Sequence, residues 1–229
     1  MADEKLHSQI FHRLFAINRS EMGIKMYVFG ITGGVGAGKS TVLKLIKENF
    51  NAEVIQADEV GKILMEPGQA GYKKIVEVFG GSVLAEDNTE MPPINREKLA
   101  SIVFSNNNKR IVLNGIIHPL VKKFITEEIG RIRCEERRDF VFVEAALLIE
   151  DHYDIICDEL WYIYADETTR RKRLMESRGY SDEKIQGIFK SQLTEAEFRE
   201  HCSRVIDNSG SELNTLKQLK EIVAEYGEF

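Results

Sequence analysis

Met26–Thr41 reads MYVFGITGGVGAGKST, and this stretch decides the fold. Met26 to Ile31 is a short apolar run that ends in glycines, the pattern of a strand buried on both faces of a parallel sheet. Gly33-Gly34-Val35-Gly36-Ala37-Gly38-Lys39-Ser40 then fits G-x-x-x-x-G-K-[ST] in full. Val42, Leu43, Leu45 and Ile46 follow on one face of a helix. Strand, glycine-rich loop and helix is the context in which this motif holds a nucleotide. The glycines let the backbone take positive φ and bring its N–H groups close to phosphate oxygens. Lys39 puts a point charge at the β and γ phosphates, and Ser40 offers Mg²⁺ a hydroxyl ligand. Thr41 brings the next hydroxyl, toward the α-phosphate, and the helix start adds the positive end of its dipole.

Outward from the loop, Glu53–Gln56, Phe140–Ala145, Leu160–Ala165 and Arg204–Asp207 read as four more strands, separated by helical patterns. Strands that alternate with helices predict an α/β fold of the P-loop NTPase type: a five-stranded parallel sheet with helices on both faces. Two helical insertions interrupt it, at 59–138 after the second strand and 167–203 after the fourth. Asn95 is the expected N-cap of a helix carrying Leu99, Ile102 and Val103. His118-Pro119 is expected to open a long helix, because proline is tolerated in a first helical turn. Ser211 begins the last helix, with Leu213, Leu216, Leu219, Ile222 and Val223. The domain therefore covers 26–229. Residues 1–25, with Leu6, Ile10, Leu14 and Ile17 at helical spacing, read as a helical extension that packs on the domain or on a neighbouring copy.

The chain has 229 residues, 43% of them hydrophobic and 30% charged. That length supports one α/β domain with insertions and a core that needs no disulfide or metal. A formal net charge of −6 argues against coating nucleic acid or an anionic membrane, which needs a broad basic surface. A small phosphorylated substrate needs only a basic pocket. Cys134, Cys157 and Cys202 are scattered and form no C-x-x-C pair, which reads as reduced thiols. No apolar run approaches the roughly 18 residues of a membrane span, and no secretory signal is visible. The expectation is a cytoplasmic protein, monomeric or a small homo-oligomer, that acts on a small molecule.

The loop alone does not separate ATPases, GTPases and kinases. A GTPase reads guanine with N-K-x-D. The nearest string, Asn108-Lys109-Arg110-Ile111, has isoleucine where the aspartate belongs. Asp58 follows the second strand at the carboxyl edge of the sheet, where open α/β folds bind ligands. It fits two roles, orienting an acceptor hydroxyl and taking its proton, or capping the next helix. Glu144 ends the third strand and Glu150 follows six residues later. Each suits a water-mediated contact to Mg²⁺, a hold on the acceptor, or a structural ion pair. After the fourth strand come Arg170, Arg171, Lys172, Arg173 and Arg178. Runs of this kind are usually solvated helix faces, yet this is where nucleotide kinases carry a lid whose arginines match phosphate oxygens. Periodicity does not say which arginine serves.

Taken in order, these strings resemble the dephospho-CoA kinase family from about Met26 to Val223. GITGGVGAGKST is similar to its first strand and phosphate loop, and VIQADEV to its segment after strand two. Arg110 with His118-Pro119 resembles its R…HP element, Ala146–Glu150 its P-L-L-[FI]-E element, and Gln192 with VIDNSGS its lid end and last strand. The resemblance implies ATP-dependent phosphorylation of the 3′-hydroxyl of dephospho-CoA, with ATP and Mg²⁺ on the loop. It implies Asp58 as the acceptor-side catalytic residue, with Lys39 and Arg173 neutralising the transferring phosphoryl group. Arg110, His118, Glu144, Glu150 and Arg178 would contact substrate. Two departures stand out. Glu144-Ala145-Ala146 replaces the family's Asp, apolar residue and Pro. The second of two lid arginines four apart falls on Ser177, with Arg178 next door. The rival readings are another small-molecule kinase, such as a nucleoside or nucleotide kinase, or a non-catalytic ATP-binding module.

Overall fold

The computed structural model describes residues 26–135 and 137–227; the expected extension at 1–25 lies outside the described residues. Five strands form a parallel sheet: β1 (Tyr27–Thr32), β2 (Ala52–Gln56), β3 (Phe140–Glu144), β4 (Glu159–Tyr164) and β5 (Arg204–Asp207). Their order is β2-β3-β1-β4-β5. The strand patterns in the sequence therefore predict the sheet to within a residue or so at each end.

Burial follows the two-residue period of a strand. Phe29, Ile31, Phe140, Phe142, Trp161, Ile163 and Ile206 all point to one face of the sheet. There they pack against Val42, Leu45 and Ile46 of α1 (Lys39–Asn49) and against late residues of the last helix. Phe29 stacks on Trp161 with ring centroids 4.5 Å apart. Full burial of such a side chain contributes about 1.5–3 kcal/mol, so this face anchors the sheet. The opposite face is closely covered too. A Cβ at Gly30 would meet Leu160 at 2.6 Å and Leu148 at 3.0 Å, and Tyr162 stacks on Phe198 at 4.6 Å.

The register aligns the strand ends. Ile31 pairs with Glu144, Thr32 with Tyr162 and Tyr164 with Asp207. The turns after β1, β3, β4 and β5 thus emerge at one carboxyl edge, the edge where open α/β sheets take ligands.

The helices are α2 (Ala57–Leu64), α3 (Ala70–Phe79), α4 (Arg96–Phe104), α5 (Asn107–Glu135), α6 (Glu167–Arg178), α7 (Asp182–Lys190), α8 (Glu195–His201) and α9 (Glu212–Val223). The chain divides into two compact units. One comprises the sheet-bearing segments up to Val54 and from Ile132 onward, and the other is Ile55–Arg131. The second unit has its own core of Tyr72, Ile75, Val83, Ile94, Leu99 and Val103. The Tyr72 hydroxyl closes it by donating to Pro92 O at 2.8 Å.

Asn95 caps α4 as expected, accepting from Lys98 N at 2.9 Å. Ser211 likewise caps α9 through Asn214 N. The expectation for His118-Pro119 fails: both lie inside α5, which starts at Asn107. The competing signal is Asn106, whose side chain accepts from Asn108 N at 3.0 Å and Lys109 N at 3.2 Å. That cap starts the helix a dozen residues earlier. Pro119 then sits in the interior, where it withholds one N–H from the helical ladder and crowds the preceding turn.

Candidate active site

The phosphate loop is shaped by what holds its carbonyls. Gly33 O accepts from Lys39 Nζ at 2.8 Å. Gly34 O accepts from Ala37 N at 3.1 Å, and Val35 O from Arg170 Nε at 2.9 Å. Ala37 O accepts from Asn208 Nδ2 at 2.8 Å and Arg173 NH1 at 3.2 Å. Gly38 O takes the N–H groups of Thr41 and Val42 at the start of α1. Each of these carbonyls has a protein donor. The N–H groups of Gly36, Gly38 and Ser40, by contrast, meet no acceptor among the described residues. Oriented amides at a helix start form an anion-binding concavity.

Gly38 shows why the motif needs glycine there. Its φ is +86°, in the left-handed region, and a Cβ would lie 2.3 Å from Asn208 Nδ2. Side chains are disfavoured in that conformation, and the close approach of Asn208 removes the space as well. Asn208 is 2% exposed and Thr215 fully buried. The Thr215 hydroxyl donates to Asn208 Oδ1 at 2.8 Å, which orients the amide so that Nδ2 faces the loop. Asn208 O in turn accepts from Arg173 NH2 at 2.8 Å.

Lys39 opens α1, with Nζ 3.9 Å from Glu144 Oε1 and both side chains largely shielded. Glu144 ends β3 directly across from Ile31, so the strand pairing fixes this approach. Ser40 and Thr41 follow in the first turn of α1. The Ser40 hydroxyl makes no hydrogen bond among the described residues, so it is available to a cation. Arg173 reaches the loop from the middle of α6, whose N-cap Asp166 accepts from Thr169 N and Thr169 Oγ1. Those bonds hold the Asp166 carboxyl below its usual range. Ser177, at the expected second arginine position, donates to Arg173 O at 2.6 Å and so stays within its own helix.

The sequence therefore brings Gly33–Thr41, Glu144 and Arg173 together. Glu150 is exposed and makes no hydrogen bond among the described residues. Arg178, the last residue of α6, is exposed with its guanidinium 5.9 Å from the Tyr180 ring and does not hydrogen-bond the loop. Asp58, Arg110 and His118 belong to the other unit. Asp58 sits in the first turn of α2, but the N-cap there is Gln56. The capping role is therefore not the one it fills. Its carboxylate is exposed and has no hydrogen-bond partner among the described residues. Arg110 donates to Asn107 Oδ1 at 2.7 Å, and His118 is half-buried on α5.

Residue-level reading of the sequence gives no role to Asn208 or Thr215 and leaves Arg170 as one undistinguished candidate in the basic segment after β4. The signal for Asn208 was the turn string Asp207-Asn208-Ser209-Gly210 directly after a strand. Arg170 was hidden among its basic neighbours. No helix among the described residues is long and apolar enough to cross a membrane.

A parallel sheet with a phosphate loop after β1, a shielded lysine and an arginine-bearing helix after β4 defines a P-loop phosphotransferase. The sequence model of the dephospho-CoA kinase family matches residues 27–214, and the chain belongs to that family. The dephospho-CoA kinase of Carboxydothermus hydrogenoformans is 34% identical over 199 residues, covering 87% of this chain and 94% of that one. The crystal structure of TT1252 from Thermus thermophilus superposes with a TM-score of 0.72 at 27% identity, over 89% of this chain and 100% of that one. A dephospho-CoA kinase from Campylobacter jejuni shares the fold, with a TM-score of 0.64 at 24% identity over 87% and 98% of the two chains.

Proposed function

We propose that the chain transfers the γ-phosphoryl group of ATP to the ribose 3′-hydroxyl of dephospho-CoA, releasing CoA and ADP. The observation that carries this reading is the loop itself. The carbonyls of Gly33, Gly34, Val35, Ala37 and Gly38 are engaged by protein donors, the amides of Gly36, Gly38 and Ser40 have no acceptor among the described residues, and Lys39 and Ser40 stand at the helix start, in a chain of this family. Phosphoryl transfer asks a protein mainly for positioning and charge stabilisation, and these residues suit both.

In this reading Gly33, Gly34, Val35, Gly36, Ala37 and Gly38 wrap the β-phosphate, and Thr41 serves the α-phosphate. Lys39 exchanges its contact with Gly33 O for the β and γ phosphate oxygens. Arg173 turns donors now held by Ala37 O and Asn208 O toward charge that develops in the transition state. Asp58 orients the acceptor hydroxyl and takes its proton late in the transfer. Mg²⁺, when bound, neutralises charge on the phosphate oxygens. Ser40 would ligate it directly and Glu144 through water, which suits an ion that keeps several waters and leans on substrate phosphates. Arg110, His118, Glu150 and Arg178 are assigned to substrate binding, and the second unit, with the α6–α8 lid, to acceptor capture and closure. The substrate is a small molecule; nucleic acid and membrane surfaces are not partners, and the protein works in the cytoplasm.

The test is ADP release from MgATP against a panel of dephospho-CoA, adenosine, other nucleosides and nucleoside monophosphates. Turnover with dephospho-CoA alone supports the reading. Turnover with nucleosides and none with dephospho-CoA overturns it.

A further inference from the structure

Arg170 lies one turn before Arg173 on α6, and its bonds differ in kind from those of its neighbours. Arg171 pairs with Glu167 and Asp182, and Lys172 approaches Glu176 at 4.0 Å. Arg170 has no ion pair among the described residues. Its Nε donates to Val35 O at 2.9 Å, and NH2 donates to Gln192 Oε1 at 2.9 Å. The same Gln192 oxygen accepts from Val35 N at 3.2 Å. Both polar groups of Val35 in the phosphate loop are thus fixed by side chains from the segment after β4. Phe189 supports the other side, its ring centroid 4.2 Å from Arg170 Cζ. The guanidinium lies so close over Gly34 that a Cβ there would sit 2.5 Å from NH2. NH1 has no acceptor among the described residues.

A half-buried charge without a salt-bridge partner is unfavourable, and Glu167, the carboxylate that favours the charged form of Arg170, is paired directly with Arg171. Burial pushes the guanidinium pKa down, though it stays ionised at any ordinary pH. A neutral donor could supply the bonds to Val35 and Gln192 without that cost, so the charge itself calls for a reason. An anion on the loop next to it provides one.

We propose that Arg170 is a positioning residue for the nucleotide: it fixes the Val35 peptide together with Gln192 and presents a guanidinium that has no salt bridge among the described residues to the polyphosphate at Gly34. Its contribution grows with the charge of the ligand. It does not touch the reacting atoms, and Lys39 and Arg173 remain the groups that face the transferring phosphoryl. The proposal rests on the reading of the loop as a nucleotide site, and not on the identity of the acceptor.

The experiment compares the full-length protein with Arg170→Gln and Arg170→Lys, by calorimetric binding of MgATP, MgADP and adenosine and by thermal unfolding without ligand. Arg170→Gln should weaken MgATP about tenfold, equivalent to about 1.4 kcal/mol, and MgADP less, with adenosine changed under about twofold. Its unliganded melting temperature should be unchanged or higher, because an unpaired charge has been removed. Arg170→Lys keeps the charge without the fork and should fall between. A purely structural arginine gives the opposite pattern: a lower melting temperature with equal loss for all three ligands. That result overturns the proposal. Wild-type protein that binds neither MgATP nor MgADP would overturn the nucleotide reading beneath it, and the proposal with it.

Discussion

Replacing Asn208 with alanine removes the side chain that joins the phosphate loop to Thr215 of α9, while the backbone bond from Arg173 of α6 to Asn208 O remains. Two short side-chain bonds disappear, Asn208 Nδ2 to Ala37 O and Thr215 Oγ1 to Asn208 Oδ1, both 2.8 Å. A typical intramolecular hydrogen bond contributes about 1 kcal/mol net, and a buried polar group left without its partner costs about 1–3 kcal/mol. Ala37 O keeps Arg173 NH1 at 3.2 Å, so the loop side is partly compensated. Fully buried Thr215 keeps only a 3.4 Å approach to Ser211 O, so most of the penalty falls there. The sum is a loss of about 2–3 kcal/mol, or about 4–12 °C in melting temperature for a domain of this size. Differential scanning calorimetry of the unliganded protein reads it directly. Thr215→Val breaks the same bond from the other side and should cost about 1 kcal/mol. The double variant should be less destabilised than the sum, because the two residues share one interaction. Nucleotide affinity should fall in Asn208→Ala and hold in Thr215→Val more nearly, because only the first loses a bond to the loop. A melting temperature within about 1 °C of wild type and an unchanged Kd for MgATP would refute the view that Asn208 shapes the loop.

Lys39→Ala should lower kcat on the order of 10²- to 10³-fold, since it removes charge stabilisation in a shielded site; unchanged turnover would remove it from the chemistry. Asp58→Asn should lower kcat by about 10²–10⁴-fold while the Kd for MgATP changes little. Near-wild-type turnover would show that the carboxylate is not the acceptor-side group. The thiols give a pH test. Burial pushes Cys202 up to about 12, and Cys134 is the exposed thiol. Alkylation of native protein at pH 8 should therefore label Cys134 first and spare Cys202 until unfolding. Above the ordinary thiol pKa of about 8.5 the native chain holds a proton at Cys202 that the unfolded chain releases. The stability from this group is complete below that pH and is lost as pH rises toward 12, by at most about 1.4 kcal/mol per pH unit. Rapid modification of Cys202 at pH 8 would contradict its burial.

The phosphate loop, the five strands and the caps at Asn95 and Ser211 were legible because their signals are local. A period of two, a glycine spacing or a capping side chain is written within a few residues. His118-Pro119 suggests a helix start because proline favours a first helical turn, whereas the actual start is set by the Asn106 side chain, which is also a local signal. Asn208 and Arg170 were a different matter. Their partners Ala37 and Val35 lie 171 and 135 positions away, and no local pattern encodes a bond of that span. Arg173 was singled out by its resemblance to the family's lid arginine, not by periodicity. Ser177 and Glu144 depart from the family, and the structure gives each a use, the first back-bonding within α6 and the second approaching Lys39 at 3.9 Å.

The most direct test of the central claim is identification of the products formed from MgATP and dephospho-CoA by the wild-type protein. One CoA, phosphorylated at the ribose 3′-position, should appear for each ADP released, and Lys39→Ala should lower both together and by the same factor. ADP release at the same rate without dephospho-CoA, or MgATP binding with no CoA formed, would contradict the assignment.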